Sequence, residues 1–126
     1  KKMIGKFRLR IAKNIHVLEP IGYLDMLQLE RNADCIITDS GGVQKEAYIL
    51  GIRCITMREE TEWVETVSSG WKKLVGWNSK LIVKSFETFH PSGERPEHYG
   101  NGHASDKIAQ VLNIEGQAAS NGSIHK

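Results

Sequence analysis

The feature that most constrains the fold is a short apolar run followed at once by a glycine-rich turn. Residues 35–38 are Cys-Ile-Ile-Thr, residues 39–42 are Asp-Ser-Gly-Gly, and residues 43–50 have the composition of a short helix. Gly51 is well placed to end that helix. The apolar run has no polar alternation, which is typical of a strand covered on both faces of a parallel sheet. Strand, tight turn and helix in this order predict one step of an α/β fold.

The same alternation continues along the chain. Further strands are predicted at 15–18, 53–57 and 73–75, and helices at 23–31, 80–89 and 104–112, with the end of a helix within 3–13 and one or two helical turns at 63–68. The predicted fold class is therefore α/β, with a Rossmann-like doubly wound parallel sheet. Since such nucleotide domains usually have about five or six parallel strands, we expect this chain to be part of a larger sheet.

Length and composition suit one modest domain or a piece of one. The chain has 126 residues, of which 40% are hydrophobic and 25% charged, as in an ordinary soluble globular protein. We expect residues 1–113 to form a partial domain and residues 114–126 to be a polar, disordered tail. The net charge of +2 provides no general field for a nucleic acid or a membrane, so neither is expected as a partner.

The remaining compositional signals are weak. The basic residues within 1–13 indicate a solvated end, since a nucleic-acid arm would need interleaved aromatic residues beyond Phe7. The two cysteines, Cys35 and Cys54, each open an apolar run and are expected to be buried hydrophobes. No metal spacing, signal peptide or long apolar stretch is visible, so we expect no metal, no cofactor and a cytoplasmic location.

The turn at 39–42 has the features of an anion site. It lies between a strand and a helix, where ligands of open α/β sheets bind. Gly41 and Gly42 let an anion approach the backbone, the helix start supplies unpaired N–H groups, and Ser40 adds a hydroxyl donor. The alternative is a helix N-cap with no ligand, and the local pattern leaves both open.

Two charged residues follow the turn on the same predicted helix. Glu46 lies one helical turn past Gly42, where a carboxylate could accept hydrogen bonds from a ribose diol. The alternative for Glu46 is an ordinary exposed helix glutamate. Lys45 is expected to be solvated.

Four stretches together resemble one enzyme family. Residues 38–47, Thr-Asp-Ser-Gly-Gly-Val-Gln-Lys-Glu-Ala, resemble the nucleotide-binding motif of the non-hydrolysing UDP-N-acetylglucosamine 2-epimerases. Residues 19–24, 58–65 and 98–105 resemble three further motifs of that family in the same order. The resemblance covers about residues 15–112.

This resemblance implies the greater part of the C-terminal domain of a glycosyltransferase-B type fold, binding the UDP of a UDP-sugar substrate. The residues it assigns to UDP are Ser40, Gly41 and Gly42 for the phosphates, Glu46 for the ribose hydroxyls, and Ile21 with Tyr23 or Met26 for the uracil. It also implies that the acid and base carboxylates belong to a missing N-terminal domain, so no catalytic residue is expected in this chain. The full-length enzyme is expected to be a homodimer.

One position departs from a common form of the family. Many members have Thr-Glu-Arg-Pro-Glu in the loop after the third strand, with the arginine near the phosphates, whereas this chain has Trp63 there. The tryptophan form resembles a subgroup that includes epimerases of diacetamido-uronic acid nucleotide sugars. Trp63 is therefore a candidate substrate-binding residue, and the identity of the sugar stays open.

Mechanism follows from the resemblance alone. It implies anti elimination of UDP across C1–C2 and re-addition to the other face of the glycal, with the isolated chain inactive. Two other readings remain open, namely the donor-nucleotide domain of a glycosyltransferase of the same architecture and a non-catalytic binding or packing module. His98 and His103 flank the turn at 99–102 and could approach an interdomain cleft, or could be structural.

Overall fold

The computed structural model describes residues 2–121, with side chains described as far as Asn113. Three strands and six helices lie along this part of the chain, one strand fewer than the sequence predicted. The strands are β1 (Ile36–Thr38), β2 (Cys54–Thr56) and β3 (Lys72–Leu74). The helices are α1 (Lys2–Lys6), α2 (Tyr23–Arg31), α3 (Gly41–Leu50), α4 (Val64–Ser68), α5 (Ser79–Thr88) and α6 (Ala104–Asn121).

The strands form one parallel sheet in the order β1-β2-β3. Ile36 aligns with Cys54, and Cys54 in turn with Lys72, so the three strands are in step. In a parallel sheet the carboxyl ends of all strands meet at one edge. The loops that follow Thr38, Thr56 and Leu74 are therefore brought together at that edge.

A small core holds the central strand. All three residues of β2 are buried, and Cys54 packs with Ile36 and Ala47. Burial raises the pKa of the Cys54 thiol, as expected for a buried structural cysteine. Cys35 is only half-buried, so the expectation of a buried cysteine is confirmed at Cys54 alone.

The predicted end of a helix at Gly51 is confirmed, and α5 begins with a side-chain cap. Gly51 has φ 75°, in the left-handed region, and its N–H is directed to the last carbonyls of α3. The Asn78 side chain accepts hydrogen bonds from the N–H groups of Lys80 and Leu81 at the start of α5. Both are local signals, readable without knowledge of the packing.

The strand predicted at 15–18 is wrong. These residues form no strand, and Ile15 and Leu18 are 53% and 57% exposed. A strand is stable only when a neighbouring strand pairs with it. The sheet of the described residues contains β1, β2 and β3, and none of them pairs with residues 15–18.

The last helix is longer than predicted. It was expected to end near residue 112, whereas α6 continues to Asn121. Residues 118 and 119 are alanines, which favour helix, so the small and polar composition does not by itself stop it. Residues 114–121 are assigned to α6 and 122–126 lie outside the described residues, and the expectation of a disordered tail stays a prediction. No helix in the described range has both the length and the apolarity to cross a membrane.

Candidate functional site

The predicted anion turn lies at the carboxyl edge of the sheet, between β1 and α3. The first helical hydrogen bond runs from the Gln44 N–H to the Ser40 carbonyl at 3.1 Å, so the N–H groups of residues 41–43 have no acceptor within the helix. Ser40 occupies the N-cap position but makes no side-chain capping hydrogen bond. The Ser40 hydroxyl therefore does not cap α3.

The two glycines of the turn are not required by the fold of the described residues. Neither has a positive φ. A Cβ on Gly42 would meet only the Ser40 hydroxyl, at 4.0 Å, and a Cβ on Gly41 would meet Trp63 and Glu62 at 3.7 and 3.9 Å, which are ordinary contacts. What the glycines do provide is an unobstructed approach to the N–H groups at the start of α3.

The predicted ribose and uracil residues are neighbours. Helices α2 and α3 pack against each other, which places Tyr23 beside Glu46. The pKa of the Tyr23 phenol is raised, first by a hydrogen bond with Glu46 and second by the negative charge of Glu46. Tyr23 itself is 64% exposed, so its ring is accessible from solvent.

An open pocket adjoins this pair. Its volume is about 530 Å³, within the range of small-molecule sites. Met26 lines it and is three residues after Tyr23 on α2, so the two side chains share a helix face. The lining residues are Leu18, Glu19, Pro20, Ile21, Met26 and Leu29. The structure thus brings together Ile21 and Met26, which the resemblance assigns to uracil.

Trp63 is attached directly to the turn. Its indole N–H donates a 3.0 Å hydrogen bond to the Gly41 carbonyl. Its ring meets that of Tyr99 edge to face, with centroids 6.0 Å apart. The Tyr99 hydroxyl donates a 2.6 Å hydrogen bond to Glu65. Burial, followed by this hydrogen bond, raises the pKa of Tyr99. The loops at 58–65 and 98–105 therefore converge on the start of α3.

The expectation that Lys45 is solvated is wrong. Lys45 is half-buried, and its ammonium lies 4.9 Å from the Trp63 ring centroid and 4.6 Å from that of Tyr99. Cation–π attraction holds it between the two rings. The signal available in the sequence was the presence of an aromatic residue in each of the two later motifs, but only their convergence identifies Lys45.

A buried polar cluster beneath the turn was also missed. Lys72 is 3% exposed, and its ammonium donates 2.9 Å hydrogen bonds to Gln44 and Thr61. The Thr61 hydroxyl also accepts a hydrogen bond from the backbone N–H of Trp63 at 3.2 Å. Burial lowers the pKa of Lys72. The cluster ties the loop after β2 to α3, and the Lys-Lys pair at 72–73 gave no sign of which lysine is buried.

The histidines of the last motif have structural partners. His98 stacks on Tyr48 with ring centroids 5.7 Å apart, and His103 contacts Asp106 at 3.0 Å. These contacts favour the structural reading of both. Within the described residues, no three His, Cys, Asp or Glu side chains group as metal ligands.

Comparison with known proteins decides the family. A sequence profile described as UDP-N-acetylglucosamine 2-epimerase matches residues 1–113. The chain belongs to this family. It is 46% identical over 117 residues to a UDP-N-acetylglucosamine 2-epimerase homolog of Methanococcus maripaludis, and this match covers 89% of the chain and 33% of that relative. It is 43% identical over 110 residues to the UDP-2,3-diacetamido-2,3-dideoxy-D-glucuronate 2-epimerase of Pseudomonas aeruginosa, covering 83% and 30%.

Solved epimerase structures share the fold. The UDP-GlcNAc 2-epimerase of Methanocaldococcus jannaschii superimposes with a TM-score of 0.76 at 41% identity, over 90% of this chain and 33% of that one. The same enzyme in complex with UDP-GlcNAc and UDP gives 0.74. The prediction of a Rossmann-like domain of the glycosyltransferase-B type is confirmed. The chain spans about a third of the length of the curated relatives it matches.

Proposed function

We propose that this chain is the UDP-binding part of a UDP-N-acetylglucosamine 2-epimerase. The observation that carries the proposal is the turn at the start of α3, whose two glycines the packing of the described residues does not require. An open helix start with an uncommitted Ser40 hydroxyl suits a phosphate. Family membership supports a nucleotide sugar as the source of that phosphate.

The sub-sites follow the order of the nucleotide. The diphosphate binds at Ser40, Gly41 and Gly42, and the ribose hydroxyls bind Glu46. The uracil lies against Tyr23 and in the adjoining pocket, which Ile21 and Met26 line. Support for this order comes from the Tyr23–Glu46 contact, which links the pocket to the helix that carries the turn. Trp63 packs on the turn from the other side.

The proposed reaction divides between two domains. Loss of the C2 proton with cleavage of the C1–O bond releases UDP and leaves a glycal. UDP then re-adds to C1 while a proton reaches the opposite face of C2, which inverts C2. This chain stabilises the diphosphate as it departs, through the helix start and the turn N–H groups. The acid and base carboxylates come from an N-terminal domain of the whole enzyme.

Titration calorimetry with UDP and with uridine tests this proposal. We expect the 126-residue chain to bind UDP. Ser40→Ala should weaken the binding of UDP but leave the binding of uridine unchanged, whereas Glu46→Ala should weaken the binding of both. Each loss of affinity should be about tenfold, as for a lost hydrogen bond to a charged group. Glu87→Ala, on the exposed face of α5, is the matched control.

The contrary result is well defined. A folded chain that takes up no UDP, as judged by circular dichroism and by the absence of binding heat, would leave a packing module instead of a nucleotide site. Equal affinities in Ser40→Ala, Glu46→Ala and the control would place the nucleotide elsewhere on the molecule.

A further inference from the structure

The ammonium of Lys45 is held in an unusual place for a lysine on a helix surface. It lies over two aromatic rings at once, 4.9 Å from the centroid of Trp63 and 4.6 Å from that of Tyr99. The rings themselves are fixed, because Trp63 donates to the Gly41 carbonyl and Tyr99 to Glu65. The geometry therefore restricts an otherwise flexible side chain to one region.

That region adjoins the turn. Lys45 is four residues after Gly41 on α3, and helical side chains lean toward the N-terminus of their helix. The Trp63 ring that lies under the ammonium is the ring whose N–H is 3.0 Å from the Gly41 carbonyl. Lysine, indole and turn thus form one continuous surface at the start of α3.

Charges around this surface leave the ammonium available to a ligand. Two carboxylates on the neighbouring loop have other partners: Glu62 accepts from Arg58 at 2.9 and 3.1 Å, and Glu65 accepts from Tyr99. Those hydrogen bonds come first among the causes that lower the pKa of each carboxylate. A positive charge near the positive end of a helix dipole is unfavourable unless an anion lies between them.

We propose that Lys45 is a binding residue for the diphosphate of the nucleotide, with Trp63 and Tyr99 acting as its positioning residues. This inference rests on the proposed function of the turn. The ammonium donates to phosphate oxygens while the rings shield its other side from water, which strengthens the charged hydrogen bond. Trp63 carries no charge itself, and it contributes by placing the charge of Lys45 beside the turn.

Calorimetry with UDP, uridine and a UDP-uronate, here UDP-glucuronic acid, tests the assignment. Lys45→Met keeps the length of the side chain and removes the charge. We expect it to lower the affinity for UDP about tenfold and to leave the affinity for uridine unchanged. The loss of UDP affinity should be smaller at high salt, because the lost contact is ionic. The matched control is Lys73→Met, since the Lys73 ammonium also lies over a ring, 5.9 Å from the centroid of Phe89.

The outcomes separate this inference from the proposed function. If the unmodified chain does not bind UDP, the proposed function fails. If it binds UDP and Lys45→Met binds UDP equally well, only the assignment of Lys45 fails. A loss shared by uridine would make the effect structural, and a loss confined to UDP-glucuronic acid would assign Lys45 to the sugar carboxylate. Either result would overturn the diphosphate assignment.

Discussion

Glu30, on α2, is a buried carboxyl group. It is 3% exposed, and within the described residues neither carboxyl oxygen has a hydrogen-bond partner. Burial, followed by the negative charge of Glu46, raises the pKa of Glu30 above its ordinary 4.5. The unfolded chain therefore releases this proton at lower pH than the folded chain does.

This difference predicts a pH-dependent gain in stability from Glu30→Gln. As pH rises from 4.5 through the raised pKa, the folded state binds more protons than the unfolded state, so Glu30 lowers the free energy of unfolding. Glutamine does not ionise, so the free energy of unfolding of Glu30→Gln does not fall in this way. We expect little difference from the unmodified chain near pH 4 and a more stable variant at pH 7, measured by urea unfolding.

Glu87→Gln, an exposed change on α5, is the control for Glu30→Gln and should shift stability little at any pH. A constant difference between Glu30→Gln and the unmodified chain from pH 4 to pH 7 would contradict the linkage argument. Such a result would mean that Glu30 ionises equally easily in both states.

Residue roles at the turn were partly readable from the sequence. Glu46 and Trp63 were proposed as binding residues from motif and spacing, which are local information, and those roles stay predictions. The structure places Glu46 beside Tyr23 and Trp63 beside Gly41. Lys45, Lys72 and Glu30 were missed. Their environments depend on side chains from distant segments, such as the contact of Lys45 with Tyr99, and no local pattern reports those contacts.

The ends of helices depend on local sequence more than the residue roles do, because the signals that start and end a helix are short. The Asn78 side chain at the start of α5 satisfies two N–H groups that the helix cannot satisfy itself. The Asn78→Ala substitution should therefore cost about 1 kcal/mol of stability. The expected fall in melting temperature is about 4 °C by differential scanning calorimetry.

Ser79→Ala is the control for that substitution, since Ser79 is the next exposed residue and the cap hydrogen bonds of α5 go to Asn78. Unchanged melting in Asn78→Ala would show that the start of α5 frays in solution and that its capping bonds contribute nothing.

The one wrong element has a physical cause at the same scale. Residues 15–18 have the composition of a strand, but a strand is stable only when another strand pairs with it. Helices such as α2 satisfy their own backbone groups and so follow local sequence more closely. Strand predictions therefore depend on tertiary partners, and this one has none among the described residues.

At the scale of the whole molecule, the chain represents about a third of the relatives it matches. Large apolar side chains remain exposed, among them Leu24 at 76% and Val64 at 66%. The site faces the edge of the sheet and contains groups suited to a departing diphosphate. The proposed function assigns the acid and base carboxylates that proton transfer at C2 needs to the N-terminal domain of the whole enzyme.

We accordingly expect no epimerisation by the chain alone. Incubation with UDP-GlcNAc, followed by proton NMR of the sugar C1 and C2 signals, should show no manno product above the buffer background. The complete enzyme, measured in the same way, should form that product without an acceptor. Turnover by the purified chain would refute the division of labour between the domains, and transfer to an acceptor by the complete enzyme would favour a glycosyltransferase.

The sequence by itself determined the α/β class, the turn at 39–42 and the family, because strand composition, glycine spacing and motif order are properties of consecutive residues. Only the tertiary structure decided that Lys45 lies between Trp63 and Tyr99, and that residues 15–18 stay unpaired. Both depend on segments that are far apart in sequence. Their contact energies depend on distance in space, so the arrangement of the sheet and its loops had to be known first.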